Sequence, residues 1–388
     1  MPWKESSAMS LRIEFVRLAQ RSELGMAELC RRFGISRETG YKWARRYAID
    51  GVEGLSDRSR RPHRSPRSTT AAIAQHVTAL RREHPAWGGR KLRRRLQDAG
   101  VEDVPAASTI TDILHREGLI DMGESGKHRA FLRFESEAPN HTWQMDYKGH
   151  FPIGTGRCHP LTVLDDHSRF ALGLIACDNE RTETVQQALI ALFRVYGLPW
   201  RFLTDNGPPW GDGGGPGFTA LTVWLMRLDI AVSHGRPYHP QTQGKDERFH
   251  RTLNAELLRD NAFRDQADSQ RAFDAWRKVY NHERPHEALE MAVPASRYKI
   301  STRSYQEQLP ALDYDSGVVV RKVGEGGRFT YKGRKYSFPK AFDGYPIGLR
   351  MTATEDLMDI LFGHHVILQL NLRSGIATKP VKDVSAHL

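Results

Sequence analysis

Residues 142–151, "TWQMDYKGHF", form a strand-like run with a carboxylate near its middle. Trp143, Met145 and Tyr147 give Asp146 apolar or aromatic neighbours. Burying a lone carboxylate is costly in free energy, so an aspartate at this position needs a specific reason. Taken by itself, Asp146 is compatible with a structural role or with a chemical one.

Further strand-like runs follow and then alternate with helical patterns. An amphipathic helix is predicted over "TETVQQALIALFRVYG" (182–197), and two long helices near 243–260 and 265–282. The other strand-like runs are "PLTVLDD" (160–166), "RFALGLIACD" (169–178), "WRFLTD" (200–205) and "DIAVSH" (229–234). A three-stranded meander followed by alternating helix and strand predicts a mixed sheet with helices on both faces.

Two further acids stand at informative positions. Asp205 closes the fourth strand, and Glu247 lies in the helical stretch "PQTQGKDERFHRTLNAELL" (240–258). If the first and fourth strands are neighbours, Asp146 and Asp205 meet near one edge of the sheet, and a helix crossing that edge brings Glu247 to them. Three converging carboxylates repel one another, and two divalent cations would remove that penalty. Singly, Asp205 could be a turn residue and Glu247 a solvated helix residue.

The charge is unevenly distributed along the 388 residues. The formal net charge is +11, and residues 1–134 contain 26 Lys and Arg against 16 Asp and Glu, a surplus of 10. An excess of this size indicates a polyanionic partner, bound mainly by the N-terminal third.

Cysteine usage and hydropathy restrict the class of protein. Cys30, Cys158 and Cys177 match neither a disulfide framework nor zinc-ligand spacing. No apolar run approaches the ~18–20 residues of a membrane span. The first 20 residues lack a signal-peptide core. We therefore expect a cytoplasmic, nucleoid-associated protein without membrane contact.

The first 51 residues carry three short helical patterns. "FGIS" (33–36) supplies a glycine for a turn and Ser36 as an N-cap. Two helices joined by such a turn, the second basic and polar, predict a helix-turn-helix whose second helix enters the major groove of double-stranded DNA. A plain three-helix bundle with a charged surface is the alternative. The predicted DNA contacts are Arg37, Thr39, Lys42, Arg45 and Arg46.

An arginine-rich segment follows these helices. Residues 54–68, "GLSDRSRRPHRSPRS", contain five arginines and little that could build a core, so they are predicted to form a linker. Arg60 and Arg61 are predicted to lie along a phosphate backbone. A linker that is merely soluble is the competing interpretation.

Residues 69–120 show a second helical unit similar to a helix-turn-helix. Its basic helix, "GGRKLRRRLQDAG" (88–100), is predicted to contact phosphates through Arg90, Lys91 and Arg94. Residues 121–140 contain few apolar side chains and are predicted to form a second linker.

The C-terminal region changes pattern again. Short strand-like runs with Gly-rich turns predict a small β-barrel over residues 317–375. The predicted fold class is multidomain α/β: N-terminal helix-turn-helix units, a central mixed sheet with flanking helices, and a C-terminal barrel. The predicted boundaries are 1–53, 54–68, 69–120, 121–140, 141–300 and 317–375.

Five separated motifs between 141 and 298 occur in a fixed order: "WQMDY", "LDDHSR", "LTDNG", "HPQTQGKDERFHRTL" and "YNHERPHEAL". Together they resemble the Asp-Asp-Glu (DDE) transposases of bacterial insertion sequences, whose core is of the retroviral-integrase type. The resemblance implies an RNase H-like core with Asp146, Asp205 and Glu247 as its catalytic and metal-binding acids. The family pattern aligns its third acid with Glu247, directly before "RFHRTL", and not with Asp246.

The remaining acids and an insertion are placed by the same resemblance. Asp165 and Asp166 of "LDDHSR" are expected to hold a turn. Between Asp205 and Glu247 lie 41 residues, more than is usual in the family. The excess falls in the Gly-rich stretch 208–218, which is either a surface loop or a flap that contacts the DNA end.

The resemblance also implies an activity. It implies a polynucleotidyl transferase with metal-dependent DNA endonuclease activity, with two Mg²⁺ ions per active site for which Mn²⁺ substitutes. Its partners would be the terminal inverted repeats of a mobile element, target DNA, and further copies of the chain. Phosphates near the metals would be held by Lys245, Arg248, His250 and Arg251. The alternatives are a DNA-binding regulator with a retired core and a nuclease of the same fold that cuts without joining.

Overall fold

The computed structural model describes residues 7–21, 23–58, 69–120, 135–211, 218–234 and 244–378. The chain divides into two compact units, Met1–Ser68 and Thr69–Leu388. In the described ranges no helix is long and apolar enough to cross a membrane.

The first unit is a helix-turn-helix domain of three helices, as predicted. The helices are α1 (Ala8–Arg21), α2 (Met26–Arg32) and α3 (Arg37–Asp50). They enclose a small core that includes Phe15, Leu29 and Trp43. The Ser36 hydroxyl caps α3 by accepting a hydrogen bond from the Thr39 amide at 3.1 Å. This cap fixes where α3 begins.

The first unit extends further than the sequence predicts. A 3-10 turn, Gly51–Leu55, continues α3, and Leu55 is completely buried in the core. The Arg12 guanidinium donates to the Leu55 carbonyl at 2.8 Å and pairs with Asp57 at 3.0 Å. The linker expected from residue 54 therefore does not begin there, because Leu55 is needed to close the core.

The second unit begins with another three-helix cluster. It contains α4 (Ala71–Glu83), α5 (Gly89–Asp98) and α6 (Ala107–Arg116) around Trp87 and Leu92. The cluster packs on the long helix α10 (Gln266–His282) of the central domain through Val279. Arg95 forms an ion pair with Glu283 at 2.8 Å beside this contact.

The central domain is a six-stranded mixed sheet. Its strands are β1 (Thr142–Tyr147), β2 (Phe151–Ile153), β3 (Gly156–Asp165), β4 (Ala171–Cys177), β5 (Arg201–Thr204) and β6 (Ala231–His234). The order is β2-β3-β1-β5-β6, with β4 paired to β3. The strands β1 to β4 pair antiparallel, whereas β1, β5 and β6 run parallel. The meander and the mixed sheet are as predicted.

Helices cover both faces of this sheet. On one face, Trp143 and Met145 of β1 pack with α7 (Thr182–Tyr196) and α8 (Ala220–Arg227). On the other face lie α9 (Gly244–Leu253) and α10. Because side chains alternate along a strand, Asp146 points to the face that carries α9.

The C-terminal domain is all β, as predicted, but its described strands form an open sheet instead of the predicted barrel. The strands are β7 (Val319–Lys322), β8 (Arg328–Tyr331), β9 (Arg334–Ser337), β10 (Pro346–Met351), β11 (Leu357–Phe362), β12 (His365–Asn371) and β13 (Ala377–Thr378). A five-stranded antiparallel sheet has the order β13-β12-β11-β10-β7, and the hairpin β8–β9 packs on the same core. Within the described residues the sheet is open, since its edge strands β7 and β13 do not pair with each other. Val223 of α8 joins this core, which fastens the domain to the central one.

Substitution of Gly40 in α3 tests the packing of the first unit. A Cβ there would overlap the Cys30 sulfur and lie 3.0 Å from Phe15. Overpacking of this kind costs about 1–3 kcal/mol, against roughly 1 kcal/mol that alanine gains over glycine in a helix. We expect Gly40→Ala to accelerate hydrogen–deuterium exchange of α1–α3 several-fold. Gly25→Ala is the control, because its added Cβ meets no atom within 4 Å. Unchanged exchange in Gly40→Ala would contradict this packing.

Candidate functional site

The parallel pairing of β1 with β5 places two acids side by side. Thr142 lies opposite Arg201, and Gln144 opposite Leu203. Continuing that register by two residues brings Asp146 level with Asp205, directly after β5 ends. The sequence-based expectation that these two acids lie together agrees with this arrangement.

Their proximity changes the electrostatics of Asp146. Burial, and then the negative charge of Asp205, raise the pKa of Asp146 to about 7. The His250 ring lies 3.9 Å from the Asp146 carboxylate. Burial and Lys148 lower the pKa of His250 to about 4, so the imidazole is neutral and does not offset the acid's charge. The site therefore favours an added positive charge.

Asp205 is oriented by the turn that follows it. Its Oδ1 accepts a hydrogen bond from the Gly207 amide at 3.1 Å and another from the indole N–H of Trp210. The Trp210 ring is buried and stacks on Tyr147, with ring centroids 5.5 Å apart. Trp210 thus connects the two acid-bearing strands, a role that the sequence reasoning missed. An aromatic residue soon after "DNG" is the signal that could have identified it.

The two adjacent acids of α9 face different ways. Asp246 is 1% exposed and shares its helix face with buried Phe249 and Leu253, whereas Glu247 is exposed. Burial, then Asp146 and Asp166, raise the pKa of Asp246 well above its usual range. Its Oδ1 has no hydrogen-bond partner in the described part of the chain.

Of the three predicted acids, Asp205 acts electrostatically on Asp146, whereas Glu247 is exposed. Among the described residues, Asp146, Asp205 and Glu247 do not form a group whose ligand atoms all lie within 4.8 Å of one another. Glu247 nevertheless lies in the first turn of the helix whose His250 approaches Asp146.

The predicted phosphate-holding cations of α9 have different surroundings. Lys245 is half-buried and pairs with buried Asp166. His250 shares a hydrogen bond with the Thr162 hydroxyl at 2.9 Å. The side chains of Lys245 and His250 therefore lie against the core instead of facing a phosphate. Arg248, 3.6 Å from Glu287, and Arg251 are exposed. Their predicted role in holding phosphates therefore stays a prediction.

The acids of "LDDHSR" are engaged in structural hydrogen bonds. Asp165 accepts from the Asn140 and Ser168 amides, each at 2.7 Å. Asp166 accepts from the Ser136 amide at 2.7 Å and from the Gln144 side chain at 2.5 Å. Asp165 thereby holds the turn between β3 and β4, as expected, whereas Asp166 ties this turn to Ser136 and to β1.

The predicted DNA contacts of α3 divide into two groups. Arg37, Lys42 and Arg45 are exposed. Thr39 and Arg46 are half-buried, and the Thr39 hydroxyl lies 2.9 Å from Ser36 Oγ within the helix cap. Both Arg46 and the exposed Lys42 lie over the Trp43 ring, at 5.2 Å and 4.5 Å from its centre. The exposed group is therefore the better candidate for base contacts. Arg60 and Arg61 lie outside the described residues.

The basic helix α5 is only partly available to a phosphate. Arg90 is exposed, whereas Arg94 pairs with Asp98 at 2.8 Å. Burial, and then Arg284, lower the pKa of Lys91 to about 8. An anion near Lys91 would stabilise its charged form.

Sequence comparisons assign a family to each part of the chain. A helix-turn-helix domain profile matches residues 11–63, and a homeodomain-like profile matches 39–114. Two integrase core domain profiles match 136–240 and 228–294. Residues 318–378 match the C-terminal domain of IS481 family transposases.

Individual relatives are similar over most of their own length. A 31.7 kDa uncharacterized protein of insertion element IS407 from Burkholderia multivorans is 24% identical over 59% of this chain and 82% of its own. A 39.2 kDa uncharacterized protein of IS476 from Xanthomonas euvesicatoria is 26% identical over 66% of this chain and 72% of its own. The HTLV-2 integrase catalytic core, solved with magnesium, aligns at 16% identity over 42% of this chain and 100% of its own, with a TM-score of 0.33. The chain belongs to the insertion-sequence transposases with an integrase core domain and an IS481-family C-terminal domain.

Proposed function

We propose that this transposase cuts DNA at the ends of a mobile element and joins the freed 3′ ends to target DNA. The observation that carries the proposal is the pairing of the Asp146 and Asp205 carboxylates at the end of two parallel strands. Two acids held together in a half-buried place repel each other, and a bound cation would remove this repulsion.

The residues present fit a divalent cation. In the described ranges, no Lys or Arg nitrogen lies within 4.0 Å of the Asp146 carboxylate, and the neighbouring His250 is neutral. Carboxylate oxygens are the ligands that Mg²⁺ and Mn²⁺ prefer. Asp146 and Asp205 would hold the metal, with Glu247 as the third ligand. Two bound Mg²⁺ ions would activate the attacking oxygen and stabilise the leaving oxygen.

The chain's own side chains position these ligands. The Trp210 indole and the Gly207 amide both donate to Oδ1 of Asp205 and so fix the orientation of this carboxylate. The Lys245–Asp166 pair anchors the first turn of α9 on the core and so sets the place of Glu247. Arg248 and Arg251, exposed on the same helix, would hold the DNA backbone beside the acids.

The proposed reaction consists of two phosphoryl transfers. Water first attacks the phosphorus at the element's end, and the bond to the 3′ oxygen breaks. The freed 3′-OH then attacks a phosphodiester of the target, so that a new P–O bond forms as another breaks. No covalent protein intermediate is needed. The helix-turn-helix units would bind the terminal repeats, and a multimer would hold two ends together on cytoplasmic, nucleoid DNA.

The acid assignment predicts the effect of removing each charge. Asp146→Asn, Asp205→Asn and Glu247→Gln should each lower strand transfer by at least about a hundredfold in Mg²⁺, because an amide does not supply the anionic ligand. Binding of the terminal repeat should persist in a gel shift. Asp246→Asn is the matched control and should remain active. An inactive Asp246→Asn together with an active Glu247→Gln would make Asp246 the third ligand.

The same assays separate the rival functions. A wild-type protein that binds the repeats but never nicks them in Mg²⁺ or Mn²⁺ would be a regulator with a retired core. A protein that nicks DNA but fails to join a pre-cut end would be a nuclease. Either result would overturn the proposed transposition chemistry.

Trp210→Phe tests the positioning of Asp205. Phenylalanine keeps the stacked ring but removes the N–H donor, so the carboxylate loses one of its two described hydrogen bonds. Loss of a supporting bond to a metal ligand typically lowers metal affinity or activity 10–100-fold. We expect strand transfer to need a correspondingly higher Mg²⁺ concentration. Tyr147→Phe, on the other ring of the stack, should change this requirement little. If Trp210→Phe and the wild type needed the same Mg²⁺ concentration, Trp210 would not position Asp205.

The exposed face of α3 predicts sequence-specific DNA binding. Replacing Arg37 and Lys42 with alanine should weaken binding to the terminal repeat by about tenfold or more, because a base-edge contact contributes about 1–3 kcal/mol. Arg17→Ala, exposed on α1, is the control. The readout is the ratio of affinities for terminal and unrelated DNA at one salt concentration. If the affinities for terminal and unrelated DNA fell equally, Arg37 and Lys42 would contact phosphates and not base edges.

A further inference from the structure

A second cluster of metal-ligand side chains lies between the central and C-terminal domains of the second unit. Asp229 stands in the turn between α8 and β6, His364 stands in the turn between β11 and β12, and His365 begins β12. In the described part of the chain, this is the one group of three His, Cys, Asp or Glu residues whose ligand atoms all lie within 4.8 Å of one another.

Both imidazoles converge on the same carboxylate oxygen. The Nε2 atoms of His365 and His364 lie 2.8 Å and 3.2 Å from Asp229 Oδ1. The two rings are packed together, with centroids 3.9 Å apart. Ligands about 2.0–2.1 Å from a tetrahedral metal lie about 3.3 Å apart, so these separations are close to those of one coordination sphere.

The position of Asp229 is fixed by its backbone conformation and by Arg303. Its backbone has φ of 55°, which short polar residues tolerate better than most. The Arg303 guanidinium donates to the carbonyls of Leu228 and Asp229, at 3.0 Å and 2.8 Å. The same group lies 3.7 Å from Asp229 Oδ2. One carboxylate oxygen therefore faces the arginine, and the other is left for the two histidines.

We propose that Asp229, His364 and His365 bind a divalent transition-metal ion of the Zn²⁺ class. Two imidazole nitrogens and one carboxylate oxygen suit Zn²⁺ and its neighbours, whereas Mg²⁺ prefers oxygen ligands alone. The side chains of His364 and His365 are 73% and 40% exposed, so an ion can enter and keep a water as its fourth ligand.

The site is separate from the acids of the proposed active centre. Because β5 and β6 run parallel, Asp205 follows the end of one strand and Asp229 precedes the start of the other, at opposite ends of the sheet. The bound ion would tie the β11–β12 turn to the central domain. The contact of Val223 with the C-terminal core already joins the two domains at another point. The bound metal would therefore strengthen the attachment of the C-terminal sheet to the central domain.

Calorimetric titration of the full chain with Zn²⁺ in excess Mg²⁺ tests this site. We expect one Zn²⁺ per chain, and at least tenfold weaker binding in His364→Gln, His365→Gln and Asp229→Asn. His159→Ala is the matched control, because His159 makes a 2.8 Å contact to Glu180 without a second imidazole on that carboxylate. The control should bind Zn²⁺ as the wild type does.

Two further measurements keep the result unambiguous. Zn²⁺ should raise the thermal midpoint of the wild type and leave that of the exposed-site variant His364→Gln unchanged, which separates lost binding from lost folding. Asp146→Asn with Asp205→Asn should retain the Zn²⁺ site, since the two places are distinct. Absence of Zn²⁺ binding in the wild type would overturn the proposal. Full Zn²⁺ binding in His364→Gln and His365→Gln would also overturn it, and so would loss of Zn²⁺ binding in the Asp146→Asn, Asp205→Asn double variant.

Discussion

The parallel register between β1 and β5 is the constraint on which the site depends. It brings Asp146 level with Asp205, and burial together with the negative charge of Asp205 raises the pKa of Asp146. The sheet tolerates this because the hydrophobic clusters on both of its faces hold the strands in place. Folding therefore forces together two charges that would separate in a flexible chain.

The orientation of α9 is determined by the same packing. Phe249 and Leu253 bury one face of the helix, and Asp246 lies on that face because of its spacing from them. Glu247, one residue on, turns outward toward solvent. The ion pair between Lys245 and Asp166 joins this helix to the turn between β3 and β4. Core packing, and not the acids themselves, thus decides which carboxylate is available to an outside ligand.

Much of this arrangement could be predicted from the sequence, for identifiable reasons. The strand pattern places Asp146 and Asp205 on two strands, so that they meet if those strands are neighbours, and a glycine followed by Ser36 suffices to mark the start of α3. Sequence patterns cannot show that Trp210 donates to Asp205, since that contact depends on the path of one turn. Nor do they show that Lys245 and His250 lie against the core, or that Leu55 closes the first unit. The meeting of Asp229 with two histidines depends on how two domains pack, which no local pattern records.

We propose above all that the carboxylates of Asp146 and Asp205 bind a divalent cation. Anomalous diffraction from a crystal of the protein soaked in Mn²⁺ is the decisive measurement, because manganese is located without reference to activity. We expect an anomalous peak in contact with both carboxylates. Manganese bound elsewhere, with no peak between Asp146 and Asp205, would contradict it.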